Sequence, residues 1–150
     1  MLDTTSAERP RLIIPALGSI YRPLYELAET ILRVVAGGAL VTHGIVKIQN
    51  PLGAQGMVES IGFYPGEVWS ILLAATEFFG GILIAIGFLT RPAALAAFFL
   101  LCVTVYFHWI LKSEGWAGAE KSVLWAAIML FFIIRGSNSQ SVDAKFGRQF

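Results

Sequence analysis

The stretch that most constrains this chain is Leu24 to Gln49, LYELAETILRVVAGGALVTHGIVKIQ, which is long and apolar enough to cross a bilayer yet carries Arg33, His43 and Lys47. A helical projection gathers Arg33, Ala36, Gly37, Leu40, His43, Gly44 and Lys47 on one stripe. Glu26 and Glu29 continue it, with Glu29 one turn before Arg33. An ionisable residue near mid-bilayer costs about 2.5 to 3.5 kcal/mol on insertion scales, so the stripe turns inward, onto other helices. The rest of the chain has to supply those helices and the partners for these charges.

Its composition fits that demand. With 56% hydrophobic residues in 150, the chain reads as a small polytopic membrane protein living in a lipid bilayer. A net charge of +1 and the lack of a basic cluster with interleaved aromatics give no reason to expect nucleic acid. Cys102 is the single cysteine, so neither an internal disulfide nor chemistry by a cysteine pair is available. Residues 1–23 contain Pro10, Pro15 and Pro23 with Arg9, Arg11 and Arg22, and no pattern of a cleaved signal peptide; they read as a surface arm.

After the first span, Asn50-Pro51 stops the helix. LGAQGMVESIGFYPG, residues 52–66, is too short to span and predicts a short interfacial helix around 54–61 that covers whatever the spans enclose. The second span, Glu67 to about Phe88, carries one charge, Glu77, near its middle, with Gly80 and Gly81 at i+3 and i+4 on the same face. Leu89-Thr90-Arg91-Pro92 is a turn, with proline opening the third span to about Leu111. The fourth runs from about Gly118 to Arg135, and a polar tail ends the chain. The expected architecture is an all-α, integral membrane four-helix bundle, up-down-up-down, divided as arm 1–23, bundle 24–135 and tail 136–150. Arg9, Arg11, Arg22, Arg91, Arg135, Lys145 and Arg148 stand on one side against Lys47, Lys112 and Lys121 on the other, which predicts cytoplasmic termini in a plasma membrane. Trp69, Trp109, Trp116 and Tyr64 fall at the opposite ends of the spans, as an aromatic belt would.

Comparing depths, His43, Lys47, His108 and Glu120 share the outer level, Glu77 lies near mid-bilayer and Arg33 below it. They describe a polar cleft opening outward, lidded by residues 54–64. Snorkelling to the interface is the plain alternative for Lys47, Glu120 and Lys121. For Glu77 and Arg33 the alternative is a structural ion pair, with Glu29 sharing Arg33. Two histidines on different helices raise a bis-histidine haem, and Glu77 beside them a metal set, but neither has a local spacing motif, so no metal and no haem are expected.

The same residues carry a resemblance. Arg33, Gly37-Gly38, His43-Gly44 and Lys47; Ile61-Gly62-Phe63-Tyr64-Pro65; Glu77-x-x-Gly80-Gly81 with Ile86-Gly87-Phe88-Leu89-Thr90-Arg91; His108; Glu120; and Ser141-Val142-Asp143 together resemble the DoxX family of small membrane proteins, over residues 24–146. The segment from Glu77 to Arg91 is its most specific part, whereas Ser137 and Asn138 depart from the family's second glycine region. The resemblance implies a four-span bacterial inner-membrane protein. In some members it implies a subunit of a quinone-linked oxidoreductase acting on sulfur compounds such as thiosulfate, or a partner of redox-stress enzymes.

Two classes of function stay open. In the first, Glu77, His43 and His108 act on a quinone held by Arg33, Lys47, Gly80, Gly81 and Glu120, with a soluble redox partner protein, because the sequence shows no nucleotide, flavin or metal motif of its own. In the second the protein is a non-catalytic anchor or a small-solute or ion pathway. A homo-oligomer is compatible with either. Under both readings Glu77 faces the bundle interior at the centre of the site.

Overall fold

The computed structural model describes residues 13–147, apart from the Arg22 side chain. Arg9, Arg11 and Arg148 of the charge argument therefore lie outside the described residues, as does the greater part of the arm.

Four helices are long and apolar enough to cross a membrane. The first, α1 (Gly18–Gln49), follows a 3-10 turn at Pro15–Leu17. It begins six residues earlier than the sequence suggests and takes Pro23 into its second turn. Proline is tolerated close to a helix start because its fixed φ is already helical; the cost is one hydrogen bond to the preceding turn. The short α2 (Gln55–Ser60) comes next, then the second span, α3 (Gly66–Ile86), with a π-helical turn at Thr76–Gly80. The third span, α4 (Thr90–Leu111), ends in another π-helical turn, Phe107–Leu111. The fourth, α5 (Gly115–Arg135), leads through an irregular segment to α6 (Val142–Lys145). No strand occurs among the described residues.

Helix α1 packs on α3 and α4 packs on α5, and the two pairs meet through the π turn and second half of α3 against α4. Between lipid-exposed helices there is little hydrophobic force, so close approach relies on small residues. A Cβ on Gly37 would stand 2.5 Å from the Gly81 carbonyl oxygen and 2.6 Å from the Ala85 nitrogen, and one on Gly44 would collide with the backbone of Glu77 and Phe78. These contacts fix the axial register of α1 on α3 and bring Glu77 level with Gly44. The packed core lies beside and below that level, with Ala36, Leu40, Ile84, Ala93, Ala94, Ala97, Met129 and Phe132 all buried.

One end of the bundle is closed by the tail. Asp143, 4% exposed, accepts hydrogen bonds from the backbone N–H groups of Leu89 (2.9 Å) and Thr90 (3.2 Å) and from the Thr90 and Ser137 hydroxyls (3.2 Å each). Its own N–H donates to the Gly87 carbonyl at 2.9 Å. One residue, 53 positions away from Thr90, thus caps the start of α4 and the end of α3 and supplies a carboxylate where the helix dipole favours it. Gly87 (φ 73°) and Leu89 (φ 49°) are left-handed, and Leu89 pays a steric penalty that the Asp143 bond offsets. Asn138 ties the tail to α1 through the Glu26 carbonyl (2.8 Å) and the Thr30 hydroxyl (2.6 Å).

Candidate functional site

At the opposite end, where α2 lies, the two helix pairs diverge and enclose a cavity of about 690 Å³ lined by all four spans. Its wall is mostly apolar, with Leu40, Leu72, Leu73, Phe99, Leu100 and Val103 prominent, and its polar groups are few: Lys47, Glu77, His43, His108, Lys121, Ser122, Thr76 and Thr104. The segment over the mouth contributes Met57, Val58, Ile61 and Phe63. That segment is pinned. The Ser70 hydroxyl donates to the Pro51 carbonyl (2.5 Å) and accepts from the Ala54 N–H (3.2 Å), while Glu59 accepts from the Gly66 N–H (3.1 Å) and so caps α3.

Glu77 faces the bundle interior and lies in the cavity wall, its side chain 10% exposed. Its partner is Lys47, whose Nζ is 2.5 Å from Glu77 Oε2 and also donates to the His43 carbonyl (3.3 Å). Lys47 is one-third exposed, into the cavity, so the pair is buried on the acid's side and solvated on the amine's. Both π turns occur at site residues: Glu77 belongs to the first and His108 to the second. An inserted residue widens the helix and rotates the side chains that follow, a device common at functional sites.

His43 meets Trp125 edge to face at 5.5 Å, which brings α1 and α5 together across the cavity wall. His108 also lines the cavity, and its Nδ1 lies 2.6 Å from Glu114 Oε2 in the turn between α4 and α5. That hydrogen bond, with the nearby Lys112, holds the Glu114 carboxyl below the usual carboxylate range. The two histidines share the cavity but each has its own partner. Among the described residues no three His, Cys, Asp or Glu side chains converge as metal ligands.

Four expected site residues are placed elsewhere. Arg33 does not reach Glu77: it is 1% exposed at the tail end, where Nη2 donates to the Gln140 carbonyl (3.2 Å) and Nη1 abuts Gly87. Its Nε and Nη1 have no hydrogen-bond acceptor among the described residues, and Glu29 and Asp143 are the carboxylates whose charges act on it. The cause is the glycine-fixed register, which leaves Arg33 eleven residues, or roughly 16 Å of helix, below Gly44. Glu29 instead approaches Arg135 at 3.5 Å. Gly81 sits against α1, not the cavity, and Gly80 is buried outside the lining, because the π turn breaks the simple i+3, i+4 relation to Glu77. Glu120 is exposed and outside the lining; Lys121, one position and 100° further round α5, takes its place. Trp125 and Glu114 were not singled out for the site, although an aromatic one turn after a lining lysine and an acid in a turn next to His108 are readable signals.

The residues around the cavity fall largely within a region matched by a family model, described as DoxX, over residues 28–109. The chain is also similar to a protein of Haemophilus influenzae named only as uncharacterized, with 28% identity over 135 residues, 84% of this chain and 93% of that one. No solved structure matches. With more than half of its length matched, and Lys47, Glu77, His43 and His108 all inside the match, this multi-pass membrane chain belongs to the DoxX family.

Proposed function

We propose that the protein is the membrane subunit of a quinone-linked oxidoreductase of the plasma membrane, and that the cavity holds the quinone head group. The observation that carries this reading is the Lys47–Glu77 pair in the wall of an otherwise largely apolar cavity. A volume of about 690 Å³ falls within the range typical of small-molecule sites, and the aromatic and aliphatic walls suit a flat ring. A bound quinone would supply the two-electron chemistry, taking two protons as it becomes a quinol. The electrons would come from a soluble redox partner protein.

In this role Lys47 donates a hydrogen bond to one ring oxygen, and Glu77 holds the amine and exchanges protons at that end. His108 would meet the second ring oxygen, donating from Nε2 as the imidazolium because its Nδ1–H is directed at Glu114, which connects it to solvent. The charge balance of the loops supports an orientation with the lid end outward and the termini cytoplasmic. A conduit would need openings at both ends. The packed core beneath the cavity and the tail's polar knot close one of them, which supports a pocket over a solute or ion pathway.

The test is saturable quenching of tryptophan fluorescence in the purified protein by the tailless quinone 2,3-dimethoxy-5-methyl-1,4-benzoquinone. Trp69 and Trp125 line the cavity and report its occupancy. Glu77→Gln should remain folded and lose about tenfold in affinity, equivalent to about 1.4 kcal/mol. Wild-type protein that shows no saturable quenching would remove the reading.

A further inference from the structure

The cavity wall is incomplete between the second and third spans. Leu72 on α3 and Phe99 on α4 line the cavity and are nonetheless 48% and 52% exposed, and Ala96, one turn before Phe99, is an exposed lining residue too. The backbones of the first half of α3 and of α4 stand apart, closing on each other from the π turn downward, and above it the Trp69 and Phe99 rings, 6.5 Å apart, reach across. The gap is bridged near the lid by a cluster of three rings, with Phe63 4.8 Å from Trp69 and 6.4 Å from Phe99. Below that cluster the edge of the cavity consists of Leu72 and Ala96, without a polar atom in their side chains. These residues lie well inside spans Gly66–Ile86 and Thr90–Leu111, so the gap faces hydrocarbon and not water.

We infer that this side opening is a binding site for an apolar chain: the ligand whose head occupies the cavity carries an isoprenoid tail that leaves between α3 and α4 across Ala96. The inference rests on the proposed quinone reading and extends it to the substrate class, a tailed and bilayer-dissolved quinone entering sideways. The wall chemistry favours this occupant. A water-soluble solute gains nothing from an apolar slot facing lipid, whereas a chain there exchanges lipid contacts for protein contacts and fixes the direction of the head. Alanine at 96 keeps the slot open, since a larger side chain at that exposed position would fill it without disturbing the core.

The experiment compares the full-length protein and Ala96→Phe with two quinones, 2,3-dimethoxy-5-methyl-1,4-benzoquinone and its 6-decyl derivative, by tryptophan quenching in one detergent. Because each ligand is compared with itself across the two proteins, its partition into detergent cancels. The expected result is that Ala96→Phe weakens the decyl quinone at least tenfold and leaves the tailless one within twofold. Equal effects on both ligands, or none on either, overturn the inference. Phe99→Ala widens the same slot and should speed dissociation of the decyl quinone by a factor severalfold larger than that for the tailless one, whose ring it also borders; equal factors count against the opening.

A third probe separates the two claims. A nitroxide-labelled stearic acid is applied to a variant that retains Trp69 as its sole tryptophan, with and without Ala96→Phe. If wild type binds neither quinone, the head-group reading falls. Quenching of Trp69 that Ala96→Phe abolishes would then identify an acyl chain of a lipid as the occupant and overturn the isoprenoid assignment, and quenching that the substitution leaves unchanged would remove the slot itself.

Discussion

The two ends of this bundle treat buried polar groups in opposite ways. At the tail end, Asp143 satisfies four donors with one carboxylate and Asn138 ties the tail to α1, while Arg33 Nε and Nη1 are buried donors there without an acceptor among the described residues. At the lid end, the Lys47–Glu77 pair stands in a mostly apolar wall with its amine one-third exposed, and His108 meets Glu114 at the rim. A satisfied network specifies a structure, while a sparse polar set in a cavity keeps capacity to bind something else. The comparison assigns stability to one end and recognition to the other.

The sharpest way to break that assignment is Asp143→Ala. It strands the N–H groups of Leu89 and Thr90 in a buried turn, and each stranded group costs about 1–3 kcal/mol, so unfolding measurements should show a loss of about 3 kcal/mol or more. A loss under about 1 kcal/mol would mean that the tail is not the anchor it is taken to be. Gly37→Ala should follow at about 2 kcal/mol, since the added carbon meets backbone atoms that cannot give way, and inter-helix cross-linking would report a widened α1–α3 spacing.

At the lid end the effects on stability are smaller and asymmetric. Lys47→Met leaves the nearly buried Glu77 carboxylate without its cation and should cost about 2 kcal/mol, below the 3–5 typical of a fully buried pair because the cavity admits solvent. Glu77→Gln leaves a lysine already one-third exposed, for about 1 kcal/mol or less. The double variant should recover most of the Lys47→Met loss, and strictly additive values would show that the pair is not coupled.

The smallest effect concerns acid. Glu114 is held below its ordinary value of 4.5, so the stability it contributes is present above that pH and is lost as pH falls through the lowered folded value. Wild type should weaken below about pH 4.5 by slightly more than Glu114→Gln, measured by acid titration of unfolding. Identical acid limbs would count against the His108 contact.

The spans, the stop at Asn50-Pro51 and the inward face of Glu77 were legible in the sequence, because periodicity and proline act locally. The turn expected over Leu89-Thr90-Arg91-Pro92 falls instead at residues 87–89, and α4 already begins at Thr90, where Asp143 caps it. The partner of Glu77 was not legible. Whether Lys47 or Arg33 meets it depends on how far α1 slides along α3, and that is set by glycine contacts between residues 44 positions apart, Gly37 and Gly81. Glu120 and Lys121 show the same limit on a smaller scale, since one residue of phase decides which faces the cavity. The tail knot was hidden for a different reason: Asp143 caps a helix that starts 53 residues earlier, and no short-range pattern announces a cap supplied from such a distance.

Hydrogen–deuterium exchange with mass spectrometry tests the contrast between the two ends most directly, on the intact protein with and without 2,3-dimethoxy-5-methyl-1,4-benzoquinone. The account predicts slow exchange in residues 137–145 that the quinone leaves unchanged, and faster exchange in residues 54–64 that slows when the quinone is added. Equal exchange at the two ends, or a lid that does not respond to saturating quinone, would contradict it.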